Sequence, residues 1–86
     1  MYSLEIRGHV DKAFQKIAKK DSIQHSAIEK KVKQILEEPH HFKPLSAVMK
    51  GKRRAHIGSF VLVFSIDESR KTVIFEDYDH HDNVYG

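Results

Sequence analysis

Two alternating runs meet at a two-residue turn in the last third of the chain, and that junction restricts the possible folds more than any other feature. Arg53 to Ile57 and Phe60 to Ile66 are separated only by Gly58 and Ser59, a pair suited to a tight hairpin turn with positive φ at the glycine. A turn of this length sets the pairing: Ile57 opposite Phe60, His56 opposite Val61, Ala55 opposite Leu62, Arg54 opposite Val63 and Arg53 opposite Phe64. Side chains alternate across a strand, so a slip of one position would exchange the two faces. One face then carries Ala55, Ile57, Phe60, Leu62 and Phe64 and needs cover. The other carries Arg54 and His56 beside Val61 and Val63. Burying an unpartnered arginine is costly, so this second face is expected to lie away from any helices and stay open to a ligand.

The cover comes from upstream. Val10, Ala13, Phe14, Ile17 and Ala18 recur with the period of a helix, leaving Lys12, Gln15, Lys16 and Lys19 on its outer side. Asp21 and Ser22 are suited to cap a second helix, in which Ile23, Ala27, Ile28, Val32, Ile35 and Leu36 form the stripe and Pro39 marks the end. Before them, Tyr2, Leu4 and Ile6 alternate with polar residues up to Gly8, the pattern of a half-buried strand. From Pro39 to Gly51 a connecting loop is expected, turning Leu45, Val48 and Met49 toward the core. After the hairpin, Asp67 to Lys71 turn the chain, and Thr72 to about Tyr78 form the last strand. The expected fold is α+β, in the order β, α, α, β, β, β. A two-helix hairpin packs on one face of a twisted, mainly antiparallel sheet of about four strands, in a single domain over residues 1–86.

A chain of 86 residues is near the size at which one core is only just sufficient. With no cysteine it has no disulfide to reinforce it. The N-terminal residues lack the features of an export signal, and no apolar run approaches the roughly 20 residues of a membrane span, so a soluble, cytoplasmic protein is expected. The surplus of 15 Lys and Arg over 12 Asp and Glu is small, giving a formal charge of +3. Its placement says more: Lys50, Lys52, Arg53 and Arg54 form a basic run, whereas Glu76 to Asp82 is acidic and holds His80 and His81.

Cations bind phosphate, and histidine is the side chain whose pKa lies nearest neutral, so it can both give and take protons. Arginine and histidine on one strand with histidine and tyrosine at the chain end are the residue types of metal-independent RNA cleavage. Asp79, His80, His81 and Asp82 offer zinc-ligating types, but neighbours on a strand alternate sides and converge only through a turn. His40 and His41 follow Pro39 in the loop and read as exposed polar residues. Tyr85 has a packing role as its alternative.

The element order, the helix-one stretch Asp11-Lys12-Ala13-Phe14-Gln15-Lys16-Ile17, the segment Arg53 to Phe64 and the terminal His81-Asp82-Asn83-Val84-Tyr85 together resemble the RelE/ParE toxin superfamily over essentially the whole chain. Within it, Val61 stands where the RelE pattern has an arginine, and neither Gly58 nor Ser59 supplies a turn carboxylate. His56 and His81 resemble the YafQ-type branch instead. The resemblance implies a toxin of a type II toxin–antitoxin pair: a ribosome-dependent, metal-independent messenger-RNA endonuclease that inhibits translation, needs no cofactor and is held in a hetero-oligomer by its antitoxin. Carried onto this chain it makes His56 and His81 proton-transfer residues, Arg54 the phosphate ligand and Tyr85 the closing aromatic, with Lys50, Lys52 and Arg53 contacting RNA. The rival implication is a homologue that acts by binding alone, to antitoxin and operator or to gyrase.

Overall fold

The computed structural model describes residues 1–45 and 51–85. The expectations for Val48, Met49 and Lys50 lie outside the described residues. Strand β1 (Ser3–Ile6) leads into helix α1 (Gly8–Lys20), followed at once by α2 (Ser22–Glu37) and a single 3₁₀ turn (Pro39–His41). Asp21 makes the corner between the helices. Its backbone N–H donates to the Ile17 carbonyl, closing α1, while its carboxylate accepts from the Gln24 backbone N–H at 3.0 Å, opening α2.

Strands β2 (Lys52–Ile57), β3 (Phe60–Asp67) and β4 (Thr72–His80) complete a four-stranded sheet in the order β1-β4-β3-β2. The β2–β3 register is the one the Gly58-Ser59 turn implies, with His56 opposite Val61 and Arg54 opposite Val63, and Gly58 has φ of 60°. β3 and β4 are antiparallel, and β1 joins the far side of β4 in parallel. The α+β reading and the mainly antiparallel sheet therefore hold.

Both helices cover one face. Val10, Ile28 and Ile35 are buried against Ala55, Ile57, Leu62, Phe64, Val73, Phe75 and Tyr78, with Phe14 edge-on to the rings of Phe75 and Tyr78 at 6.2 and 5.2 Å. Phe75 and Tyr78 are three positions apart, which strict alternation would place on opposite faces. A bulge reconciles them: Val63 pairs with Asp77 but Phe64 with Phe75, so Glu76 is the extra residue and both rings turn inward.

Two expectations are corrected here. Ala18, Ile23 and Ala27 of the apolar stripes are exposed, Ile23 to 84%; Ile23 and Ala27 line an open cleft of about 490 Å³ that separates the start of α2 from Ile57 and Phe60 at the hairpin end. The second face of the sheet is also not open at its centre. Val61 and Val63 are fully buried, joined by Leu45 and by Val84 in a small second core. Covering them removes two valines from water, roughly 1.5–3 kcal/mol each. The chain end provides that cover by folding into a short helix, α3 (His81–Tyr85).

Candidate functional site

The small second core determines where the polar residues stand. Leu45 reaches Val61 and Val63 because residues 43–45 lie along the outer edge of β2. The Leu45 N–H donates to the Lys52 carbonyl at 2.8 Å, and the Arg54 N–H donates to the Lys43 carbonyl at 3.1 Å. Arg53 and Arg54 straddle this segment from opposite faces of the strand. Arg53 donates to the Phe42 carbonyl at 2.7 Å, and Arg54 to the Pro44 carbonyl at 2.6 Å.

From the other end, the His81 backbone N–H donates to the Ser59 carbonyl at 2.8 Å, fixing the start of α3 to the hairpin turn. Asp79 accepts from the Asn83 side chain at 3.0 Å and from the His80 backbone N–H at 2.7 Å. These bonds, the Asn83 amide first, hold the Asp79 carboxyl below its ordinary pKa. It stays ionised at the foot of α3, where negative charge is favoured. Val84 then points down into Val61 and Val63.

Seating α3 this way brings together the four residues singled out as catalytic. The ring centroids of His56 and His81 are 6.1 Å apart, those of His56 and Tyr85 6.1 Å and near-parallel, and those of His81 and Tyr85 4.7 Å. The Arg54 guanidinium lies 5.9 Å from the Tyr85 ring centre. His56 and Tyr85 are exposed, so the group faces solvent, on the side of the sheet away from α1 and α2. The Nδ1 of His81 lies 3.5 Å from Asp82 Oδ1. Two imidazoles about one phosphodiester apart, with a guanidinium and an aromatic face, can exchange protons with a bound phosphate ester and hold its charge.

Of the residues assigned to RNA contact, Lys50 is outside the described residues. Lys52 shares the face of Arg54, with its ammonium 3.6 Å from Glu76. Arg53 does not join the group: it lies on the helix-bearing face, 3.4 Å from His40 Nδ1. His40 is exposed, as expected, but is tied to Glu68 in the β3–β4 turn, while His41 sits edge-on to Phe42. His80 packs against Phe60 at 5.6 Å, so Asp79, His80, His81 and Asp82 spread around the turn from β4 into α3.

Glu76, the bulge residue, accepts from Ser65 Oγ at 2.6 Å and from Arg7 Nε at 3.0 Å. Burial opposes its ionisation, yet these bonds and the charges of Lys52 and Arg7 outweigh burial and lower its pKa. Its charge is thus already met inside the molecule. Asn83, Val84 and Leu45 are the positioning residues that residue chemistry alone did not single out. His81, Val84 and Tyr85 stand at i, i+3 and i+4, which is the signature of one helical turn.

Comparison with known proteins places the fold and site in context. Residues 2–85 match the family described as the ParE toxin of the type II toxin–antitoxin system parDE. A protein of Methanocaldococcus jannaschii, named provisionally as toxin RelE4, is 50% identical over 86 residues, spanning 99% of this chain and 92% of its own. The toxin–antitoxin complex RelBE2 of Mycobacterium tuberculosis contains a chain that superposes with a TM-score of 0.75 at 24% identity, over 92% of this chain and 96% of that one. A chain of the E. coli DinJ–YafQ complex superposes with a TM-score of 0.66 at 22% identity over all of both chains. The two structural likenesses concern the fold.

Proposed function

The chain belongs to the ParE toxin family of type II toxin–antitoxin systems, and from that premise we propose that it is a metal-independent endoribonuclease that cuts messenger RNA on the ribosome and so inhibits translation. The observation that carries this reading is the convergence of His56, His81, Tyr85 and Arg54 from two elements that meet only because α3 is seated.

In this mechanism one histidine takes the proton from a ribose 2′-hydroxyl, whose oxygen bonds to the adjacent phosphorus. The bond from phosphorus to the 5′-oxygen breaks, and the other histidine returns a proton to that oxygen. The products are a 2′,3′-cyclic phosphate and a 5′-hydroxyl. His56 and His81 fill the two proton roles, Arg54 stabilises the charge on the phosphorane, and Tyr85 stacks on a base. Lys52 adds attraction for phosphate. Since the group lies on an open surface, the orientation of the substrate has to come from elsewhere, and orientation accounts for much of a catalytic rate. A message held by the ribosome is supplied already oriented.

The partner in this reading is a cognate antitoxin, by analogy with the RelBE2 and DinJ–YafQ complexes. An apolar cleft of about 400 Å³ beside the edge strand β1, lined by Leu4, Ile6, Phe14, Val32, Leu36 and Phe75, is surface that such a partner would cover. No helix among the described residues is long and apolar enough to cross a membrane, and the proposed site of action is the cytoplasm.

The test is incubation with programmed ribosomes and mapping of the message ends. Fragments with 5′-hydroxyl ends at the ribosomal decoding site are expected. Uncut message with intact ribosomes, alongside tight binding of the neighbouring small gene product, would favour a member of the family that acts by binding alone.

A further inference from the structure

A second concentration of positive charge lies away from the site just described. Helix α1 carries Lys12, Lys16, Lys19 and Lys20 against Asp11 alone, a surplus of three that equals the formal charge of the whole chain. Removing those five residues from the 15 cations and 12 acids leaves eleven of each. All four lysines are exposed. No ion pair or side-chain hydrogen bond among the described residues uses any of them, whereas acidic groups on the sheet and its β3–β4 turn are matched, Glu5 by Arg70, Glu68 by Lys71 and Glu76 by Arg7.

The ligand that fits this face is a polyanion. Lys12, Lys16 and Lys19 recur every three to four positions, about 4.5–6 Å apart along the axis, on the side of α1 opposite Val10, Phe14 and Ile17, with Lys20 on its flank. That apolar stripe is committed to the core, so the helix is not free to lie in a lipid surface. Among the described residues the large exposed apolar side chains, Met1, Ile23 and Tyr85, are all elsewhere, so the face also lacks the anchors on which a protein interface depends. Phosphate binding needs cations alone.

We propose that the outer face of α1 is a second RNA-contact surface, separate from the cleavage site, which takes the phosphates of a folded RNA. The inference deepens the nuclease reading and rests on it for the identity of the RNA. Helix α1 and the His56 group lie on opposite faces of one sheet, in a molecule measuring 36 × 30 × 22 Å. One RNA strand lying across His56 and Tyr85 does not reach both. A folded RNA that encloses the toxin does, and contact on the far side would fix the toxin while the site engages the message.

The experiment compares wild type with the variant K12Q/K16Q/K19Q/K20Q, in which glutamine preserves helix propensity, for binding to programmed ribosomes across a salt series. Each lost phosphate contact flattens the slope of log affinity against log salt by about 0.7–0.9. The quadruple variant is therefore expected to lose about 3 in slope and at least tenfold in affinity at low salt, with its circular dichroism unchanged. The arginine counterpart K12R/K16R/K19R/K20R should restore the wild-type slope, and Lys30→Gln with Lys33→Gln on α2 should leave it unchanged. A quadruple glutamine variant with wild-type slope and affinity overturns the proposal. So does one that loses antitoxin binding while keeping its slope on ribosomes, which would assign the face to an acidic protein. If wild type binds with the steep slope and cuts nothing, the nuclease reading fails and this surface stands. If wild type cuts and the glutamine variant binds identically, this surface fails alone.

Discussion

On one face of the sheet, two helices of 13 and 16 residues bury a broad core around Phe64 and Phe75. On the other, Leu45, Val61 and Val63 are enough to seat the five residues of α3 through Val84. The first face supplies stability and carries no residue assigned to chemistry. The second contributes little burial but determines whether His81 and Tyr85 stand beside His56 and Arg54. A protein of this size keeps its site on the weakly held face, where small changes in packing alter function before they alter folding.

The strongest way to break this contrast is to open the larger core. Phe75→Ala should cost about 3–5 kcal/mol, a large share of what a small domain possesses, and a denaturant titration should show little folded protein left. Wild-type stability would mean the helix-bearing face is not the principal support. Next, His81→Ala should lower cleavage of ribosome-bound message by about 10²-fold while the denaturation midpoint stays where it was. A fall in both together would make His81 a structural residue. Val84→Ala should cost about 1 kcal/mol, roughly a fivefold drop in the equilibrium constant for seating α3, and cleavage should fall by up to that factor with antitoxin binding unaffected. Equal cleavage by this variant would show that α3 is held by the Asp79–Asn83 bond rather than by the small core.

The smallest effect lies at the rim between the faces, in the β3–β4 turn. Glu68 accepts from Lys71, His40 and Tyr2, in that order of importance, and its pKa is held at about 2 against an ordinary 4.5. A carboxyl whose folded pKa is depressed adds stability above its unfolded value, and that stability fades as pH falls toward the folded one. Urea midpoints of wild type should therefore decline as pH drops from about 4.5 to about 2, and Glu68→Gln should flatten that decline. An identical acid profile for the two proteins would remove this network from the account.

The hairpin was legible in the sequence because a two-residue turn leaves one register, and every pair from Ile57–Phe60 to Arg53–Phe64 follows from it. The grouping of His56 with Arg54 was legible for the same reason. The bulge at Glu76 was not, since it depends on which neighbour β4 pairs with, though Phe75 and Tyr78 three apart in a strand are its trace. The burial of Val61 and Val63 was missed because their cover is five residues at the chain end, too short for periodicity to distinguish from a tail. Arg53 was grouped with its neighbours by charge, although alternation places it on the other face. Ile23 fits the helical stripe, but a stripe says nothing about whether the partner surface extends far enough to meet it.

The order of strands also dictates when the toxin can come into being. β4 is the last strand of the chain and lies inside the sheet, between β1 and β3. The ends of the chain are joined across it, with Ser3 opposite Thr72 and Arg7 bonded to Glu76, 69 positions away. Contacts so distant in sequence form late and slowly. During synthesis the helices and the β2–β3 hairpin emerge with no strand to join them to β1, and α3, which completes the site, follows β4. A growing chain therefore lacks both a closed sheet and a seated His81 and Tyr85 until β4 and α3 have been made, so the core and the candidate site are completed in one late step.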